Sequence, residues 1–208
     1  MDTTVVIEKI MDILSMLCVL VLSIGLVYSM FKKHALITII YLVSILSIEL
    51  VAIFGKVNLF LFSVSYYIHL FYLGYYILVH LFRRKKRNFL YLSLLFIIPM
   101  LLSLGFNKEI SSYQSYDRLL YILCIIILLI ATLFRYFDGK LFLSNTHITI
   151  FLTILFYFGI DFIIALTTNY LINEHLNLVG WIWLFRAFCL LMFYAALVNL
   201  AWKTGKTL

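Results

Sequence analysis

The chain has 208 residues, of which 65% are hydrophobic and only 12% are charged. Soluble domains average roughly 45–50% apolar and about 25% charged residues, so this composition excludes a water-soluble globular domain. The formal charge of +7 comes from basic residues that stand mainly at the ends of apolar runs, where they act as topology signals, so it does not indicate nucleic-acid binding.

Seven apolar runs are long enough to cross a hydrocarbon core of about 30 Å at about 1.5 Å rise per residue. The runs are continuously apolar rather than alternating, which excludes a transmembrane β-barrel. The sequence therefore predicts an all-α polytopic transmembrane helix bundle of about seven helices, in one domain that covers residues 1–208. The predicted spans are 13–30, 35–54, 59–82, 89–106, 119–137, 148–168 and 178–202, with longer breaks at 107–118 and 169–177.

The basic residues are distributed unevenly between the two sides of this bundle. Eleven of the 16 Lys and Arg residues fall on the side of the C-terminus. The positive-inside rule then places the N-terminus outside and the C-terminus in the cytoplasm. The densest cluster is a topology determinant, and a contact with anionic lipid or a cytoplasmic partner is a second interpretation of it. This cluster consists of Arg83, Arg84, Lys85, Lys86 and Arg87.

Four ionisable residues lie inside the predicted spans: Glu49, His69, Asp161 and Arg186. A charge in hydrocarbon costs at least about 2.5–3.5 kcal/mol, so such residues usually face a bundle interior or an aqueous cavity. At about 1.5 Å per residue all four lie roughly 8 to 15 Å below the outer boundary. Because they share one layer, we expect a polar cluster in the outer half of the bundle.

Aromatic side chains share helical faces with these charges, since residues three or four apart lie on one side of a helix. Tyr72 accompanies His69, Tyr157 accompanies Asp161, and Trp183 accompanies Arg186. Three interpretations remain open: a structural ion pair of Arg186 with Asp161 or Glu49, a pocket for a small ligand, and a proton or ion pathway. Two acids face one arginine, so either one acid is protonated or a further cation, such as His69, completes the balance.

Strong catalytic and cofactor signatures are absent from the sequence, including HExxH, GxSxG, the P-loop and CxxC. No two histidines stand at metal-ligand spacing on one helix. The sequence therefore predicts no cofactor, no metal site and no catalytic residue, and it favours a non-enzymatic protein. An intramembrane lipid-processing enzyme that uses the carboxylates and His69 as acid and base stays open as an alternative.

The order of these features resembles a group of small seven-helix membrane proteins from Bacteroidota, some of them encoded near two-component signalling genes. The resemblance is carried by Glu49 in span two, an aromatic span three, the 107–118 loop, the 154–159 segment of span six and a Trp-bearing span seven. It implies a receptor-like or regulatory membrane component and carries over to Glu49 and Tyr157. This chain departs from the group at His69 and Arg186, where an acid and an amide are more usual.

Together these features predict a receptor-like or accessory component of a signalling or envelope system in the cell inner membrane. Its polar pocket would take a small polar or zwitterionic ligand, because both charge signs are present. With little cytoplasmic mass, we expect a protein partner or self-association on the cytoplasmic side, besides membrane lipids and without nucleic acid. The alternatives are a small-molecule or proton-coupled transporter, the lipid-processing enzyme, and an oligomeric membrane effector.

Overall fold

The computed structural model describes residues 3–32, 36–54, 59–83, 89–90, 93, 116–174 and 176–204. The described residues are helical apart from short turns, which confirms the all-α prediction for this part of the chain. The helices are α1 (Thr3–Phe31), α2 (Leu36–Phe54), α3 (Leu59–Tyr75) with a π-helical continuation (Tyr76–Leu81), α4 (Tyr116–Phe137), α5 (Asn145–Glu174) and α6 (Leu176–Thr204).

Five of these helices are long and apolar enough to cross a membrane: α1, α2, α4, α5 and α6. Their outward faces carry large apolar side chains such as Phe54, Phe134 and Phe156, which are 84%, 65% and 55% exposed. Such faces are stable in hydrocarbon, where every backbone polar group is satisfied inside the helix. The helices fit a multi-pass membrane protein.

Several helices run further than the predicted spans. Helix α1 begins at Thr3 although its apolar run begins at residue 13, and α5 continues to Glu174, inside the predicted break at 169–177. Helix α4 begins at Tyr116, so the predicted 107–118 loop is helical at its end. Hydropathy marks the length of chain that hydrocarbon tolerates, whereas a helix continues into water as long as its own hydrogen bonds are kept.

The fourth predicted span, 89–106, lies outside the described residues except for Phe89, Leu90 and Ser93, which are helical. Seven membrane crossings and the orientation of the termini stay predictions.

The chain divides into two compact units. The terminal unit comprises residues 1–57 and 144–208, and the central unit comprises residues 58–143. In the terminal unit α6 packs along both α1 and α5, and α1 also packs on α2. In the central unit α3 packs against α4. The single-domain prediction is not tested by this division.

A glycine sets the separation of α1 and α6. A Cβ added at Gly25 would lie 2.5 Å from Val198 Cγ2, which is closer than carbon atoms approach. One turn further along, the Tyr28 and Trp202 rings are in contact, with centroids 4.7 Å apart. Small residues at such a position let two membrane helices approach closely. Helices α1 and α6 therefore pack tightly near their C-terminal ends, on the side predicted to be cytoplasmic.

Local sequence signals fix two helix ends. At the end of α4, Gly139 has φ +70°, and its N–H and that of Lys140 donate to the carbonyls of Tyr136 and Arg135, as in a Schellman motif. At the start of α5, the Ser144 hydroxyl accepts the His147 N–H at 3.4 Å, as an N-cap residue does.

Candidate functional site

The centre of the terminal unit holds an ion pair between α5 and α6. The Arg186 Nε donates to Asp161 Oδ1 at 2.5 Å. The Asp161 side chain is fully buried and Arg186 is 8% exposed. A buried carboxylate and guanidinium stabilise each other because either alone would carry a large desolvation cost. Of the two pairings left open by the sequence, Asp161 with Arg186 is the one that forms.

An indole ring covers the guanidinium. Arg186 Cζ lies 5.1 Å from the ring of Trp183, which is one turn earlier on α6. A cation over the face of an indole is attracted by the ring quadrupole. Trp183, predicted from its spacing to accompany Arg186, therefore contacts the charge directly.

A second polar contact joins α2 to α6. The Tyr194 hydroxyl donates to Glu49 Oε1, with Tyr194 buried and Glu49 half-buried. Tyr194 lies eight residues after Arg186, about 12 Å along the helix axis at 1.5 Å per residue. The Arg186 guanidinium nevertheless has a favourable Coulomb interaction with the Glu49 carboxylate. Arg186 thus pairs with Asp161 and has Glu49 as a second acid within electrostatic reach.

Tyr157 lies between these two contacts along α5. It is buried, stands one turn before Asp161, and stacks on Phe193 with ring centroids 4.6 Å apart and an interplanar angle of 16°. Its hydroxyl and that of Tyr41 both interact electrostatically with Tyr194. The Tyr194 hydroxyl, which donates to Glu49, is therefore accompanied by two further tyrosine hydroxyls, those of Tyr41 and Tyr157.

The charge balance of this site is uneven. Among the described residues of the terminal unit, Arg186 is the one buried cation. Two carboxyl groups, Asp161 and Glu49, face it. A proton on Glu49 would leave Arg186 compensated by Asp161.

Two predicted site residues belong to the central unit. His69 and Tyr72 lie on α3 and are each 3% exposed. The expectation that they join Glu49, Asp161 and Arg186 in one cluster stays a prediction.

The central unit also buries a cation that falls at the end of the predicted 107–118 break. Arg118 lies in the first turn of α4, is 3% exposed, and holds its Cζ 5.2 Å from the Tyr66 ring. Tyr66 precedes His69 by three residues on α3, so both lie on one helical face. Arg118 stands at the edge of an apolar run, where a long basic side chain can turn either inward or toward water. The positions of apolar residues in the sequence do not distinguish these two orientations, so the burial of Arg118 was not predicted.

Of the predicted basic cluster, Arg83 is described and residues 84–87 lie outside the described residues. Arg83 is exposed and has φ 52°, an uncommon conformation for a residue with a side chain.

Within the described part of the chain, no three His, Cys, Asp or Glu side chains are grouped as metal ligands. The contacts of the charged site include an ion pair, a cation–π contact and a hydrogen bond between a hydroxyl and a carboxyl group. Comparisons of the chain with family models, with curated proteins and with solved structures found no match.

Proposed function

We propose that the chain is a receptor-like or accessory component of a signalling or envelope system in the cell inner membrane, and that it binds a small zwitterionic ligand at Arg186. The observation that carries the proposal is the buried guanidinium of Arg186, which donates to Asp161 at 2.5 Å and has the Glu49 carboxyl group as a second acid in its vicinity. The seven apolar runs support seven crossings, and the distribution of basic residues supports a cytoplasmic C-terminus.

A zwitterion is the ligand class that this arrangement favours. Removing one partner of a buried pair costs about 3–5 kcal/mol, because a charge is left uncompensated. A ligand that carries both signs avoids that cost: its carboxylate replaces Asp161 on Arg186, and its cationic group takes the carboxylate that is released. Trp183 supplies an aromatic face beside the same position, which favours a substituted ammonium group.

The ion pair also provides a route from ligand to response. Asp161 lies on α5 and Arg186 on α6, while Glu49 lies on α2. When Arg186 exchanges Asp161 for a ligand or for Glu49, the contact between α5 and α6 is released and that between α2 and α6 is strengthened. The output then passes to a protein partner on the cytoplasmic side. The signalling part of this proposal includes kinship with the membrane proteins encoded near two-component genes that the sequence resembles.

A thermal-unfolding screen of the detergent-purified protein tests the ligand class. We expect a betaine or an amino acid to raise the melting temperature of the wild type, and neither a simple carboxylate nor a simple amine to do so. The Arg186→Lys variant keeps the charge but loses the planar donor fork, so its response should be reduced. Lys140→Gln, which changes an exposed lysine of the central unit that pairs with Asp138, should respond as the wild type does.

A proton-coupled transporter is the second candidate, favoured by the hydrogen bond between Tyr194 and Glu49. A carboxyl group bordered by hydroxyl groups can accept and release a proton inside a membrane. Solute uptake into proteoliposomes that follows an imposed pH gradient, and that is lost in Glu49→Gln, would favour this candidate over the receptor. Uptake that is absent from the wild type would dismiss it.

A further inference from the structure

The central unit contains a cleft that is separate from the charged site. The cleft is a shallow groove, because its enclosed space is about 20 Å³, little more than one water molecule needs. A shallow groove suits contact with the side of one narrow chain and does not enclose a bulky ligand. The lining residues are Tyr67, Leu70, Phe71, Gly74, Leu78, Phe89, Ser93 and Leu128.

The polar groups of the lining are turned away or already bonded. The Tyr67 hydroxyl donates to the Ser93 carbonyl at 3.4 Å, and the Ser93 hydroxyl donates to the Leu90 carbonyl at 2.8 Å. Gly74 contributes space, because a Cβ at this position would lie 3.3 Å from Phe89 Cε2. The cleft therefore offers an apolar surface to its occupant.

The faces of α3 and α4 that line the cleft come together near the end of the π-helical continuation of α3. Gly74, Leu78 and Phe82 follow each other at four-residue intervals, and the wider π-helical turn, with Phe82 N–H donating to the Ile77 carbonyl at 2.8 Å, keeps them on one side. On α4, Leu128 and Arg135 are seven residues apart and share a face. These two faces meet where Arg135 Cζ lies 4.1 Å from the Phe82 ring.

Two arginine residues belong to this end of the cleft, Arg135 by contact and Arg83 by sequence. Arg135 contacts the Phe82 ring, and Arg83 is the next residue along the chain after Phe82. Both arginines are exposed. An apolar cleft with exposed guanidinium groups at its end is complementary to an amphipathic molecule with an anionic head.

We propose that this cleft binds one acyl chain of an anionic phospholipid, whose phosphate lies between Arg83 and Arg135. Helix α4 is long and apolar enough to cross a membrane, so acyl chains are the molecules that surround it. Guanidinium groups near a membrane surface attract anionic lipid headgroups and bind phosphate oxygens in pairs. The site does not depend on the ligand site at Arg186.

Native mass spectrometry tests the proposal. The purified wild type is equilibrated in mixed micelles that contain phosphatidylglycerol and phosphatidylcholine with identical acyl chains, and the retained lipid is counted. We expect one phosphatidylglycerol to be retained in preference to phosphatidylcholine. Arg135→Gln should reduce that preference about fivefold, the usual effect of one basic residue near an anionic surface. Lys140→Gln, which changes an exposed lysine paired with Asp138, should leave the preference unchanged.

A pair of α4 variants tests the acyl-chain part. Leu128→Trp fills the cleft and should abolish retention of both lipids. Leu123→Trp places the same ring on a side chain that is 42% exposed and outside the cleft, so it should retain lipid as the wild type does. Equal retention by the two tryptophan variants would overturn the acyl-chain assignment. If Leu128→Trp does not fold, the proposal is tested by the lipid preferences of Arg135→Gln and Lys140→Gln, and equal preferences of these two variants would overturn it.

Other outcomes would overturn the proposal as a whole. Equal retention of the two lipids by the wild type would remove the headgroup assignment. Displacement of the lipid by inorganic phosphate alone would show that the guanidinium groups bind free phosphate and that the cleft contributes nothing. A wild type that retains no lipid, but carries a co-purified protein, would assign this surface to a protein partner.

Discussion

Replacing Asp161 by Asn removes the carboxylate that accepts the Arg186 Nε hydrogen bond at 2.5 Å. The guanidinium is then left buried, with Glu49 as the remaining acid in its vicinity. Breaking a buried ion pair by removing one partner costs about 3–5 kcal/mol. Because Glu49 compensates part of the charge, we expect Asp161→Asn to lower the free energy of unfolding by about 2–3 kcal/mol, below that range.

Arg186→Gln is expected to be more costly than Asp161→Asn. It leaves Asp161, which is fully buried, without a guanidinium, and Arg186 is the one buried cation among the described residues of the terminal unit. The loss should reach the full range of about 3–5 kcal/mol. The double variant Asp161→Asn/Arg186→Gln replaces both charges by amides that can bond to each other. It should therefore be more stable than Arg186→Gln alone.

Unfolding of the purified variants by denaturing detergent in mixed micelles measures these differences. For two groups in direct contact, the double-mutant cycle should give a coupling energy of about 1–3 kcal/mol. Additive effects of the two single changes would refute the buried ion pair. Equal losses in the two single variants would refute the sharing of Arg186 with Glu49.

The remaining predictions concern packing, a turn and the second polar contact. Gly25→Ala should destabilise the protein by about 1–3 kcal/mol, because its Cβ would lie 2.5 Å from Val198 Cγ2, and adding Val198→Ala should restore most of the loss. Gly139→Ala should cost about 1 kcal/mol, since φ is +70° with no atom within 4 Å; Gly159→Ala, in an equally open helical position, should instead stabilise by about 0.5–1 kcal/mol. Tyr194→Phe should cost about 1–3 kcal/mol, because the carboxyl group that accepts its hydrogen bond loses a donor. Unfolding in mixed micelles measures all of these changes. A Gly25→Ala variant as stable as the wild type would contradict the close approach to Val198, and a neutral Tyr194→Phe would contradict the hydrogen bond to Glu49. Equal stabilities of Gly139→Ala and Gly159→Ala would contradict the positive φ at Gly139.

The helices could be predicted where polar residues bound the apolar runs closely. Helix α2 covers Leu36–Phe54 against a predicted 35–54, because Lys32, Lys33 and His34 precede the run and Gly55 and Lys56 follow it. The end of α5 at Glu174 could not be predicted in this way. Its last turns are polar enough to leave hydrocarbon, yet they keep their helical hydrogen bonds in water.

Three members of the charged site were predictable from the sequence, but their pairings were not. The cost of burying a charge in hydrocarbon drew attention to Glu49, Asp161 and Arg186. Depth alone could not choose between the two acids as the partner of Arg186, because both lie in the same layer. The hydrogen bond between Tyr194 and Glu49 was not predicted. Tyrosines are abundant in this chain, and their spacing indicates which helical face they share but not which side chain they bind.

The central claim is that Arg186 binds a zwitterionic ligand, and native mass spectrometry of the detergent-purified protein tests it most directly. Wild type and Arg186→Lys are compared, with Lys140→Gln as the exposed-cation control. We predict that a small zwitterion co-purifies with the wild type and with Lys140→Gln and is lost from Arg186→Lys. A wild type that binds no zwitterion, even when betaines and amino acids are supplied, would contradict the claim and leave Asp161 with Arg186 as a structural ion pair.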